Sequence, residues 1–252
     1  MIILLYEIIC GLNKGNSAGG HLTAALAFRW RRQVIEKQRT GQLVDFFLKP
    51  ISLQVLISPV LQFVNVSTTS YLLRRYQSLT KQNMIRFWAL FLFGKRGDDA
   101  NFVASLYANN QTTSSTRTLL AQLFDFEDDY SVVTATQRAD AATIRETEPK
   151  ECDPKGDAAV DSYVLPIALH EEVSPLLAKS LEDMPPAYVT TCEFDVLRDE
   201  ALLYVKRMQN AKPPIRVEHK HYNEQHGYMS TTMISDLADY LRKNPNFFKG
   251  LL

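Results

Sequence analysis

Ser17 lies in the run Gly15-Asn16-Ser17-Ala18-Gly19-Gly20, and a serine at Gly-x-Ser-x-Gly spacing is suited to nucleophilic chemistry. The glycines let the backbone pass from a strand into a helix without a Cβ clash, leaving the hydroxyl clear of the chain. A serine needs partners to react, a base that takes its proton and a third group that orients that base. Two residues far downstream have the right types: Asp195, which closes the run Cys192-Glu193-Phe194-Asp195, and His226, in Asn223-Glu224-Gln225-His226-Gly227. The chain order Ser17, Asp195, His226 is one in which such triads occur, and the last two are far enough apart for one helix and one strand.

Each of these residues has a bland reading. A chance Gly-x-Ser-x-Gly in a chain of this size is expected at roughly the ten per cent level, and a glycine-rich turn can simply cap a helix. Asp195 can cap a helix beginning near Val196, and His226 can be an ordinary loop histidine. The competing carboxylates rank lower by position. Asp199 and Glu200 fall in the first turn of the following helix, where acidic side chains favour the helix dipole. Glu224, two residues before His226, reads as a solvated loop residue.

The elements that must position these residues alternate between strand and helix. Residues 1–10 are apolar apart from Glu7, too short to span a bilayer and without the basic start of a signal peptide, so they read as a strand buried on both faces of a parallel sheet. Gly11-Leu12-Asn13-Lys14 then intervene before the serine turn. A helix is expected over 18–38, with Gly41 near its end, and an apolar strand over 53–60. Between about 62 and 183 the alternation lapses. That region holds an expected helix over 84–93 and a polar, acidic stretch over 125–160 that is poor in large hydrophobes, and the whole insertion reads as a cap over a site or a long mobile loop. Order returns with a strand over 187–192 and a helix carrying Leu197, Ala201, Tyr204, Val205 and Met208. A strand over 215–222 and a last helix carrying Ile234, Leu237, Ala238 and Leu241 follow.

Composition sets outer limits. The 252 residues are 46% hydrophobic, enough for a sizeable core and one large domain. Lys plus Arg and Asp plus Glu are both 28, so no net field points toward nucleic acid. Basic runs such as Arg29, Arg31 and Arg32, or Arg74 and Arg75, read as the wet faces of helices. Cys10, Cys152 and Cys192 fit neither a disulfide framework nor a metal-ligand spacing and read as small buried residues. His219 and His221 share one face of a strand, with no carboxylate or cysteine at ligand spacing, so no metal is expected. Asn65-Val66-Ser67 and Asn110-Gln111-Thr112 are glycosylation sequons, meaningful only in a secretory compartment.

Gly15-Asn16-Ser17-Ala18-Gly19-Gly20-His21-Leu22 resembles the Gly-Asp-Ser-Ala-Gly-Gly-Asn-Leu elbow of the hormone-sensitive-lipase group of α/β-hydrolases. Within that group it is most similar to the arylacetamide deacetylase and neutral cholesterol ester hydrolase family. Supporting segments are Leu56-Ile57-Ser58-Pro59-Val60-Leu61-Gln62, Met84-Ile85-Arg86-Phe87-Trp88, Ser174-Pro175-Leu176-Leu177-Ala178 and Cys192-Glu193-Phe194-Asp195-Val196-Leu197-Arg198-Asp199-Glu200. The resemblance implies an α/β fold: the C-terminal part of an α/β-hydrolase, a mostly parallel sheet flanked by helices. A single partial domain over 1–252 would carry a cap-like insertion at about 63–183.

It also implies hydrolysis of small apolar carboxylic esters, or of arylacetamides, without a cofactor. Ser17 would be the nucleophile, His226 the general base and then acid, Asp195 the group that orients the imidazole, and the Ala18 amide an oxyanion donor. The family's first half-sheet and its His-Gly-Gly-Gly loop precede the elbow strand, so a truncated chain lacking that oxyanion loop is expected. The alternative is an inactive remnant or a lipid- or ester-binding protein. The resemblance further suggests membrane association at the endoplasmic reticulum.

Overall fold

The structure, a computed structural model, describes residues 12–41, 51–123, 133–148, 150, 152–153 and 155–248. Four strands form one sheet in the order β1-β2-β3-β4: β1 (Leu12–Asn16), β2 (Leu53–Ile57), β3 (Ala187–Phe194) and β4 (Val217–Gln225). Every pairing is parallel. Parallel neighbours need crossover connections, and the sequence places a helix after each strand. These are α1 (Ala18–Thr40) after β1, α8 (Arg198–Gln209) after β3 and α9 (Thr231–Lys243) after β4. The connection from β2 to β3 is the long one. Its described residues form α2 (Thr69–Leu73), α3 (Lys81–Phe93), α4 (Ala100–Tyr107), α5 (Ser114–Leu123), α6 (Ala135–Thr147) and α7 (Ala158–Ala168).

The sheet is buried on both faces at its centre, where all five residues of β2 are covered. One face packs against α1 and α8 in the larger core, with Phe28, Leu56, Val189, Leu203 and Tyr204 all buried. The other face carries Leu53, Val55, Tyr188 and Cys192 under Met233 and Tyr240 of α9. This two-sided burial is why β2 and β3 are mostly apolar or β-branched, Gln54 and Glu193 excepted, while β4, at one edge, is mostly polar and only partly buried.

The expected helices at 18–38 and 84–93 and the strands at 53–60, 187–192 and 215–222 appear with boundaries shifted by a few residues. One expectation needs correction, the reading of residues 11–14 as intervening between strand and turn. The strand expected over 1–10 lies outside the described residues; the strand that enters the serine turn is β1, which contains three of the four residues read as intervening. Its ladder runs in register with β2 from Leu12↔Leu53 to Asn16↔Ile57, and backbone pairing overrides the polar side chains of Asn13 and Lys14. Asn13 is buried there because its amide donates to the Thr23 carbonyl at 2.9 Å.

Within the acidic stretch over 125–160 the structure adds an element that hydrophobic periodicity does not show. Residues 135–147 form α6, started by a capping box in which the Thr134 side chain accepts from the Gln137 N–H and the Gln137 side chain accepts from the Thr134 N–H. Reciprocal capping of this kind starts a helix even where large hydrophobes are few. Residues 125–132 lie outside the described residues, as does Cys10. Cys152 and Cys192 are free and buried, as their composition suggested.

Candidate active site

Ser17, Ser58, Asp195 and His226 each follow the C-terminal end of a strand, so the parallel arrangement gathers them along one edge of the sheet. Sites in open α/β sheets form at that edge, because crossover loops diverge there and leave a crevice. Ser17 has φ 55° and ψ −118°, a conformation that costs a non-glycine residue strain. The surrounding backbone holds it: the Ser17 N–H donates to the Ile57 carbonyl at 2.9 Å, and the Ser17 carbonyl accepts from His21 at 3.0 Å. The turn is so tight that a Cβ on Gly15 would fall inside the Gly19 carbonyl, and one on Gly20 would meet the Pro59 Cβ at 2.8 Å. Gly19 itself has open space around it.

The structure brings the three sequence-selected side chains together across 209 residues of chain. Asp195 Oδ2 is 2.8 Å from His226 Nδ1, and His226 Nε2 is 2.9 Å from Ser17 Oγ. An ionised carboxylate only accepts, so Nδ1 carries the proton and donates to Asp195, which leaves Nε2 free to accept from the serine hydroxyl. Asp195 is 1% exposed, and its second oxygen accepts the Leu197 N–H at 2.9 Å. That bond closes a local turn ahead of α8, which starts at Arg198 with Leu197 as its N-cap and no side-chain cap, so the helix-capping reading of Asp195 does not hold. Ala18, the other selected residue, opens α1 next to Ser17 and is exposed. The first amides of a helix have no intrahelical acceptor, so the N–H groups at this end carry partial positive charge.

Carboxylates outside this trio support it from behind, in ways the sequence did not disclose. Glu200, 1% exposed in the first turn of α8, accepts from the Leu61 N–H at 2.6 Å and from the Gln62 side-chain amide at 2.9 Å. Gln62 in turn accepts from Val64 and Asn65, so one buried acid organises the 58–66 loop whose Pro59 packs against Gly20. Burial pushes the Glu200 carboxyl up to about 8, with Asp195 adding to the rise and the hydrogen bonds to residues 61–62 opposing it. Asp199 bonds the Arg198 guanidinium at 2.9 Å and accepts the Ser70 N–H at 2.6 Å.

Arg74, expected on a wet helix face, instead points inward. Its guanidinium pairs with the Glu193 carboxylate and donates to the Glu193 carbonyl at 3.1 Å. The usable signal was the density of charge at 193–200 beside the apolar run of β3, since charges adjoining a buried strand must find partners. His219 and His221 do share a face, both 2.9 Å from the Thr191 hydroxyl. Both sequons are built into packing: Asn65 Oδ1 accepts from the Ser67 N–H and hydroxyl, and Thr112 is buried with its hydroxyl donating to the Asn109 carbonyl at 2.8 Å. Among the described residues no group of three or more His, Cys, Asp or Glu could hold a metal ion, and no helix is long and apolar enough to cross a membrane.

This geometry, a strained serine at a strand-to-helix turn with an acid and a histidine on later loops of a parallel sheet, defines an α/β-hydrolase architecture. A family model described as alpha/beta hydrolase fold matches residues 14–125 and 130–230, and the chain belongs to that family. Similar curated proteins include neutral cholesterol ester hydrolase 1 of Rattus norvegicus, 29% identical over 94% of this chain and 53% of its own length. Arylacetamide deacetylase of Bos taurus is 30% identical over 82% of this chain and 45% of its own. The chain thus spans about half the length of the curated relatives it matches. Among solved structures, vibralactone cyclase aligns with a TM-score of 0.50 at 16% identity, covering 95% of this chain and 50% of that one, a likeness of fold.

Proposed function

We propose that the chain is a serine hydrolase of carboxylic esters in which Ser17 is the nucleophile, His226 the proton carrier and Asp195 its orienting partner. The observation that carries this reading is His226 bridging the other two at 2.8 and 2.9 Å from opposite ring nitrogens. Nε2 takes the hydroxyl proton as Ser17 Oγ attacks the ester carbonyl, and Asp195 stabilises the imidazolium that forms. The Ala18 N–H donates to the oxyanion of the tetrahedral intermediate. As that intermediate collapses, the C–O bond to the alcohol breaks and the departing oxygen takes the proton from Nε2. Water, deprotonated by the same nitrogen, then cleaves the acyl group from Ser17.

An apolar ester is the class of substrate we propose. One turn beyond Ser17, His21 packs T-shaped on Phe63 and Phe91 at centroid distances of 5.3 and 5.8 Å; His21, Phe63 and its stacking partner Trp88 are buried, and Phe91 is the exposed member of the cluster. The names of the curated relatives, a cholesterol ester hydrolase and an arylacetamide deacetylase, point to the same class of apolar esters or amides. Labelling of the purified chain with a fluorophosphonate probe tests the reading. Labelling that disappears in Ser17→Ala supports it. Absence of labelling in a sample shown by circular dichroism to be folded rejects it in favour of a non-catalytic ester- or lipid-binding protein.

A further inference from the structure

The pairing of β3 with β4 is interrupted where the site begins. Cys192 is level with Tyr222, but Phe194 is level with Gln225, so Glu193 faces two residues of β4, Asn223 and Glu224. This is a β-bulge, an extra residue that bends one strand and re-aims the side chains beyond it. Its consequence is a matter of register. Carried one residue further, the shifted pairing puts Asp195 level with His226; without the extra residue Asp195 would be level with Gln225.

Glu193, the residue opposite the bulge, is also where four other elements converge. Its carboxylate accepts from Arg74 at the end of α2, from Arg198 at the start of α8 at 2.9 Å and from the Gln137 amide in the first turn of α6 at 3.1 Å. It lies 3.3 Å from His221 Nε2 on β4, just ahead of the bulge. Burial pushes this carboxyl up, yet the bonds from His221, Arg198 and Arg74 outweigh burial and hold it down at about 2. Arg198 is fully buried between Glu193 and Asp199, so with Arg74 the cluster balances two cations against two anions. A buried charge that loses its partner is costly, which makes the arrangement rigid.

We infer that Glu193 is a positioning residue: by pinning His221 and the α2, α6 and α8 ends to the bulge, it keeps His226 in register with Asp195. The inference rests on the proposed roles of Ser17, His226 and Asp195, and on register geometry that holds whatever those roles are. Glu193 touches no reacting atom, so its loss is expected to lower kcat and leave KM nearly unchanged. Misplacement of a reacting group by an ångström costs about 10²-fold.

The test compares wild type, Glu193→Gln and Arg74→Gln in the full chain, with circular dichroism as the check on folding. Two readouts are followed: hydrolysis of p-nitrophenyl butyrate, and the low-field proton resonance of a histidine Nδ1–H bonded to a carboxylate, identified by its loss in Asp195→Asn. For folded Glu193→Gln the expected result is a kcat lower by about 10- to 100-fold, KM within about twofold and a lost or broadened resonance. A folded Glu193→Gln that keeps both the wild-type kcat and the resonance overturns the inference. If Glu193→Gln does not fold, Arg74→Gln decides by the same two readouts, because Arg74 is partly exposed and its loss leaves Arg198 in place. Wild-type protein without Ser17-dependent hydrolysis would sink the proposed function alone; the resonance in the variants then decides the inference.

Discussion

His21 is 4% exposed, one turn past Ser17, with its Nε2–H donating to the Val173 carbonyl at 3.0 Å. Burial lowers its pKa from 6.5 to about 4, and the bond to Val173 opposes that only in part. The folded state therefore holds a neutral ring where the unfolded chain binds a proton, so stability is present above 6.5 and is lost as pH falls toward 4. At pH 4.5 the loss from this group is roughly 2–3 kcal/mol. His219 acts in the same direction, since burial and then the neighbouring His221 lower it to about 4. Glu200 acts in the opposite direction: its folded pKa of about 8 means stability falls as pH rises from 4.5 to 8. Comparing variants separates these contributions. His21→Gln keeps a donor for Val173 and is expected to flatten the loss of stability between pH 6.5 and 4.5 in urea titrations; parallel curves for the two proteins would refute this. At this scale the sequence exposed the proposed trio, because few residue types can serve as nucleophile, base and orienting acid and these three stand after strands in a suitable chain order. It did not expose Glu193 or Glu200, whose partners at 62, 74, 137 and 221 are distant in the chain and ordinary in type.

The serine turn shows how far a single element can be read from its residues. Gly-x-Ser-x-Gly implies two glycines required by space, and the structure distinguishes them. Gly15 faces the Gly19 carbonyl and has no room for a methyl group, whereas Gly19 lies in helix α1 with nothing within 4 Å of an added Cβ. Gly15→Ala is expected to destabilise by about 3 kcal/mol or more, because the clash is with backbone and cannot be relieved by a rotamer change. Gly19→Ala is expected to stabilise by about 0.5–1 kcal/mol through helix propensity. Guanidinium unfolding of both variants checks the pair, and equal effects would mean that the turn is not as tight as described. The strand entering the turn was harder to read. Leu12-Asn13-Lys14-Gly15-Asn16 has little hydrophobic signal and becomes β1 through its ladder with β2. Helix α6 was legible only through its Thr134 and Gln137 caps, because its apolar face is slight.

At the scale of the molecule, two cores of unequal size grip the sheet. The larger joins α1, α8 and the helices between β2 and β3; the smaller is held by α9, with Tyr240 against Tyr188 at a centroid distance of 5.0 Å. Among the described helices, α9 is the one that contributes buried residues to the smaller core. Tyr240→Ala is expected to cost about 3–5 kcal/mol and to release amide protection in α9 before α8 in hydrogen–deuterium exchange. Simultaneous loss in both helices would show instead that the two cores unfold as one. Since His226 and the start of α9 share the segment after β4, loosening α9 is also expected to slow fluorophosphonate labelling of Ser17.

Periodicity and turn chemistry determined the α/β class, the order of strands and helices and the three side chains proposed to react, because these depend on local propensity and on the few residue types able to do such chemistry. Tertiary structure decided which strand enters the elbow, which arginine turns inward and which carboxylates carry the site. Those outcomes depend on ladder register and on which charges meet when the crossovers close over the sheet. A single residue of slip between β3 and β4 determines whether Asp195 is level with a histidine or a glutamine, and no local preference in the chain encodes that slip.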